Sequence, residues 1–538
     1  MKMSRKILSL ALALVMVMGL AVTAMADETT PHTITITNAL EDHTYEAYQV
    51  FKGTVTGGEN NTPKILSNIE WGDGVDSTAL LEALQNYTDG TPNYESPYKE
   101  CNTANDVANV LKDRHSDGPR VDAFAKVVSE HLATIAGSAN APADGKYVIH
   151  VTGDGYYFVK DASTVTGNDT VTKYMLRVAR DVTVAPKSDK PRMDKKVKDR
   201  DDSAGSTTGW QDGADYDIGD NVPFRLKGTV TSYYDAYDEY SFIFHDTVAT
   251  GLTFQPATVK AYVGNMNTVT SKVEYTEIAA ANYVVNSAPG DGHTFDVVFS
   301  DLKGIPEVKG GSEITVEYEA KLNTNAVIGA QGNLNTAHLE FSNNPYGEGT
   351  GETPDDTAIV FTYQLTVNKM MGDNTTALPG AAFKLEKQIP DKDNPGNNKW
   401  EEVGRTPAAG AETTFEFKGL DDGTYKLTEI TTPAGYNTIE PIVFTINAEH
   451  ETVGNPAELK DIYITVPADS KVKPEEFAVE KAAGKLTGVV STNVANQAGT
   501  QLPTTGGMGT TIFYVLGAVL VFGAVVLLVT KKRMSDAA

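Results

Sequence analysis

Two lysines stand where a strand should place apolar residues. In Met193-Asp194-Lys195-Lys196-Val197, alternate residues share a face, so Met193, Lys195 and Val197 point the same way. The same alternation groups Val367, Lys369 and Met371. A lone buried ammonium is costly, so something must pair or consume each charge. Candidate partners lie further along the chain. Asn335 shares a face with Ala337, Leu339 and Phe341, and Asn496 shares one with Val490 and Val494. Each segment also carries an acid in a strand-like context, Asp246 after Phe242-Ile243-Phe244-His245 and Glu429 in Tyr425-Lys426-Leu427-Thr428-Glu429. Burial lowers a lysine pKa and raises that of a carboxylic acid. The chemistry on offer is therefore a neutral, nucleophilic amine beside a carboxamide and a protonated acid. Lys196 and Asn343 are the nearest alternatives to Lys195 and Asn335.

The elements that must position these groups read as strands and turns. A chain of 538 residues holds roughly three or four domains. With 40% hydrophobic residues, 47 Gly and 24 Pro, it suits several turn-rich cores rather than disorder. Residues 27–186 read as a β-rich domain with helical insertions. Thr33 to Thr37 and Gly155 to Val159 have strand patterns, while Phe124, Val127, Val128, Leu132 and Ile135 follow helical spacing. His131 in that stretch reads as helix packing. A linker at 187–191 leads to a middle sandwich at 192–345, a second linker at 346–359 and a third sandwich at 360–501. The fold class is mainly β, with tandem β-sandwiches.

Both ends carry addresses. Lys2, Arg5 and Lys6, an apolar run from Ile7 to Val22 and Ala24-Met25-Ala26 read as a secretory signal over 1–26. Residues 502–538 combine Leu502-Pro503-Thr504-Thr505-Gly506, an uncharged span within 510–530 and the basic Lys531-Lys532-Arg533. Together these resemble the cell-wall sorting signal of Gram-positive surface proteins, in which a sortase cuts between Thr and Gly, here Thr505 and Gly506.

With Tyr425-x-Leu427-x-Glu429…Pro433-x-Gly435-Tyr436, and Asp246-Thr247 before Gly251-Leu252-Thr253, the layout resembles the backbone subunit of sortase-assembled Gram-positive pili. The resemblance implies collagen-adhesin-type Ig-like domains, each closed by an autocatalytic Lys–Asn isopeptide bond joining its first and last strands. It assigns Lys195 and Asn335 with the assisting acid Asp246, and Lys369 and Asn496 with Glu429. It further implies that Thr505 of one subunit is joined to a lysine of the next. Val182-Thr183-Val184-Ala185-Pro186-Lys187 matches the family's pilin motif at Lys187, although Ala185 stands where the family has Tyr. Lys190 is the nearest competitor. The implied partners are a sortase, identical subunits and peptidoglycan at the cell surface, with a host ligand as a further possibility.

Other classes find less support. A net charge of −26 argues against nucleic acid. The single cysteine, Cys101, excludes an intrachain disulfide and reads as a loop or helix-end residue. No His/Cys cluster is visible in the sequence, so neither metal nor cofactor is expected, and Asp391-x-Asp393-Asn394 reads as a polar hairpin loop. No hydrolase constellation stands out, so the chain is not expected to be an enzyme. The first domain shows no trio, since Gly155 to Asp161 lacks a Glu at the expected place. The alternative to a shaft pilin is a monomeric wall-anchored adhesin for a host glycan or matrix protein, which would make no use of Lys187.

Overall fold

Burial with a period of two runs through most of the chain, and the strands follow it. The computed structural model describes residues 31–502, apart from 38–42, 58–63, 89–93, 113–118, 164–174, 180, 185–189, 346, 348, 408–409 and 501, together with 508–535. The strand Asn221–Thr229 illustrates the rule: Val222, Phe224, Leu226 and Gly228 are buried, and their neighbours are half-buried or exposed. One buried face per strand needs a second sheet to cover it, and the result is a series of sandwiches.

Among the described residues before 185, Lys146–Thr152, Pro31–Thr37 and Val182–Val184 form one sheet. Tyr45–Thr56 and Gly155–Asp161 form the centre of a second. Three helices, Ser77–Gln85, Ala104–Leu111 and Pro119–Glu130, lay Leu80, Leu84, Val107, Leu111, Phe124 and Val128 against Phe51 and Leu66. Asp76 caps the first helix, and Thr103 with Asp106 forms a capping box on the second. The third helix ends at Glu130, short of the expected Leu132 and Ile135. Leu132 instead bridges Val75, and Ile135 is exposed. Cys101 is buried two residues before the cap Thr103.

The middle sandwich packs two sheets around Phe224, Phe242, Phe295, Val316, Tyr318 and Leu339. One is centred on Asn221–Thr229 and Glu313–Leu322, the other on Phe242–Val248 and Asn333–Ser342. The stretch expected to be a linker at 346–359 is part of this unit. Thr350–Glu352 and Asp356–Phe361 both pair with Asn333–Ser342, because Ala358 and Val360 supply apolar side chains to the core.

In the third sandwich Tyr363–Met371 pairs in parallel with Lys485–Asn496, and a five-stranded sheet centred on Ala382–Pro390 and Gly423–Thr431 faces them. The helix Met508–Ser535 follows, and its Thr511–Ser535 part is long and apolar enough to cross a bilayer. Asp391 to Asn397 forms the turn of the hairpin between Ala382–Pro390 and Asn398–Arg405.

Candidate functional site

In the third sandwich, an amine lies directly on a carboxamide. The parallel register sets Lys369 opposite Val494 and Met371 opposite Asn496. Lys369 Nζ then donates to Asn496 Oδ1 at 2.7 Å and to the Val494 carbonyl at 3.0 Å. Asn496 Nδ2 donates to both Glu429 oxygens at 2.9 Å, and Glu429 Oε1 is 3.9 Å from Lys369 Nζ. Glu429 reaches in from Gly423–Thr431 on the facing sheet. All three side chains are buried. Desolvation lowers the Lys369 pKa, against the opposing pull of the Glu429 charge. Lys369 and Asn496 occupy the first and last strands of this sandwich.

The middle sandwich is wired differently. Lys195 Nζ lies 2.5 Å from Asp246 Oδ2 and 3.0 Å from the Tyr318 hydroxyl. Tyr318 donates to Asp246 Oδ2 at 2.7 Å, and Asn335 Nδ2 donates to the Tyr318 oxygen at 2.8 Å. Lys195, Asp246 and Asn335 are fully buried. Asp246 Oδ1 and Asn335 Oδ1 have no hydrogen-bond partner among the described residues. Desolvation pushes the Lys195 amine down and the Asp246 carboxyl up, so the pair is biased toward its neutral form. Lys195 and Tyr318 belong to one sheet, Asp246 and Asn335 to the other. Asn335 is not on the last strand of this unit, since Asp356–Phe361 follows and lies beside it in the sheet.

The runners-up fall elsewhere. Lys196 is half-buried and pairs with Asp212 and Asp194. Asn343 is buried, but its amide serves the Thr350 carbonyl. Lys187 and residues 503–506 lie outside the described residues, as do residues 1–26, while Leu502 is exposed. In the first sandwich, Asp161 is buried against His43, with Nδ1 to Oδ2 at 2.8 Å.

Sequence reasoning missed three features. Tyr318 continues the inward line of Ile314 and Val316, and a buried tyrosine hydroxyl needs a polar partner, so it was open to inference. Lys387 is a third inward lysine, after Phe383 and Leu385. It meets Asp202, Asp217 and Asp421 at 2.5, 2.7 and 3.3 Å, across the joint between the second and third sandwiches. Burial would lower its pKa, but Tyr425 and these carboxylates raise it instead, so its charge is paired rather than consumed. Thirdly, the expectation that no histidine cluster exists is revised, because folding gathers His245, His293, Asp291 and Asp296.

Residues 363–457 match the family described as the SpaA prealbumin-like fold domain, and residues 495–536 match the LPXTG cell wall anchor motif. The chain is 25% identical over 408 residues to the trypsin-resistant surface T6 protein of Streptococcus pyogenes serotype M6, covering 65% of this chain and 70% of that one. The anchor and this relative mark a cell-wall-anchored surface protein that resembles the pilins of Gram-positive bacteria. The fold is similar to that of the three-domain T6 backbone pilin of the same organism, with a TM-score of 0.50 at 15% identity over 87% of this chain and 99% of the other. Backbone pilins among its relatives, together with the cell-wall anchor, support a major pilin role.

Proposed function

We propose that this protein is the shaft subunit of a covalent polymer, and that its middle and third sandwiches each seal themselves with a Lys–Asn isopeptide bond. The observation that carries the reading is Lys369 Nζ at 2.7 Å from Asn496 Oδ1, with Glu429 bridging the amide nitrogen. The neutral amine attacks the Asn496 carboxamide carbon. Glu429, which holds the amide nitrogen, takes up the amine proton and passes it to the departing nitrogen, which leaves as ammonia. One C–N bond breaks and one forms, and the acid ends as it began. Preorganisation by the folded core replaces much of the barrier. Lys195, Asn335 and Asp246 follow the same scheme, with Tyr318 positioning the acid and the carboxamide. Each site reacts once, so this is self-modification.

Polymerisation uses the Thr505 carbonyl, passed by a sortase to Lys187 of the next subunit, with the last transfer made to peptidoglycan. Pro186 supports this role for Lys187, because a proline has no N–H to donate to a sheet ladder. Tandem mass spectrometry of wall-released polymer tests the scheme. The expected product is a branched peptide joining Thr505 to Lys187. Release of monomer alone, carrying no branched peptide, would instead identify a solitary wall-anchored protein.

A further inference from the structure

We propose that the outer face of the middle sandwich holds a divalent transition-metal ion of the zinc class, bound by His245, His293, Asp291 and Asp296. The four residues offer ligand atoms that all lie within 4.8 Å of one another. They come from separate segments. His245 is on Phe242–Val248, Asp296 stands opposite it on Phe295–Phe299, and Asp291 and His293 come from the connection just before that strand. Gly290 and Gly292 flank Asp291 with φ of 86° and 106°, a backbone that side chains disfavour, and so fold the connection back over the sheet.

The distances suit a tetrahedral ion. His245 Nδ1 is 2.9 Å from Asp296 Oδ1 and 3.9 Å from Asp291 Oδ2. His293 Nδ1 is 3.0 Å from Asp291 Oδ1 and 4.0 Å from Asp296 Oδ1. Ligands held about 2.0–2.2 Å from a tetrahedral zinc stand roughly 3.4 Å from each other, which is within this spread. Two imidazoles and two carboxylates would also neutralise a doubly charged ion.

Hydrogen bonding within the cluster does not account for it fully. His293 Nδ1 is buried and, among the described residues, is paired only by charge with the acids beside it, while Asp291 Oδ1 accepts from the His293 backbone N–H. A buried ring nitrogen close to two carboxylates is a group that a metal would satisfy. His338 stands opposite His245 in the sheet, with its ring centroid 5.0 Å from that of His245 and 5.1 Å from that of His293. Asp355 holds its Nδ1 at 3.2 Å. The ion would clamp two adjacent strands and a loop directly behind Asp246, on the opposite face from the proposed bond.

Cobalt(II) titration of the chelator-treated full chain in detergent tests the site. One equivalent should give the intense visible absorption of a tetrahedral nitrogen–oxygen site, and Zn2+ should displace it and raise the unfolding temperature. His293→Ala, in the loop, should abolish the band while leaving the circular dichroism unchanged. Asp220→Asn, in a separate acidic group near Lys387, should leave it intact. Absence of the band in the wild-type chain, or its persistence in His245→Gln/His293→Ala, would overturn the proposal.

Discussion

Lys369 and Asn496 are 127 residues apart in sequence, yet their reactive atoms lie 2.7 Å apart in a buried pocket. A covalent bond between them would close that whole loop. It would stabilise the sandwich by roughly 5 kcal/mol through the unfolded chain, or about 10–20 °C in unfolding temperature. The intact mass of the mature chain should therefore fall short of its sequence mass by two ammonia molecules. A mass at the uncorrected value would reject both bonds.

Glu429→Ala should restore one ammonia and lower the unfolding temperature by a similar margin. Glu429 contacts the carboxamide through both of its oxygens, so its removal takes away the proton relay. Mass spectrometry and calorimetry on the same sample check both effects. An unchanged mass would show that another group assists.

Tyr318→Phe is a sharper probe of the middle site. It keeps the ring that packs on Phe224 and Phe295 but removes the hydroxyl linking Asp246 and Asn335. Loss of one positioned donor typically slows a reaction by about 10²–10³-fold. Mass measured at intervals after refolding should show a slow second ammonia loss, with the first unaffected. A wild-type rate would reduce Tyr318 to packing.

Lys187→Ala should abolish the high-molecular-weight ladder of wall extracts on a denaturing gel. A persistent ladder would move the acceptor to another lysine, with Lys190 the first to test.

The joint between the second and third sandwiches should weaken as pH rises. Burial, and then the charges of Asp215, Asp201 and Asp199, hold the Asp422 carboxyl up at about 7. Burial would lower the His450 pKa, but Asp199 and Asp215 raise it to about 10. Both folded values exceed the ordinary values of 3.8 and 6.5, so each contribution is complete below its ordinary value and lost above it. Asp422 loses its contribution between pH 3.8 and about 7, and His450 between 6.5 and about 10. The protection factors for hydrogen exchange at Tyr216 and Ile218, whose N–H groups bond to Phe361 and Gly419, should fall across those windows once the base catalysis of exchange itself is divided out. Lys387→Met, which leaves its carboxylates unpaired, should destabilise the joint by about 3–5 kcal/mol. Protection factors independent of pH would argue against this network.

Much of this protein was legible in one dimension. The C-terminal anchor, the run of β-sandwiches and the inward lysines all follow from local spacing, because strand alternation and membrane length are local rules. Local spacing cannot say what an inward lysine meets. Lys369 and Lys387 carry the same signal, yet one faces a carboxamide and the other three carboxylates. The place of Tyr318 between acid and amide, the two strands within 346–359 and the meeting of His245 with His293 and His338 likewise depend on register and on which sheets face each other. Those relations are set by packing between residues tens to hundreds of positions apart. Only the tertiary structure decides them.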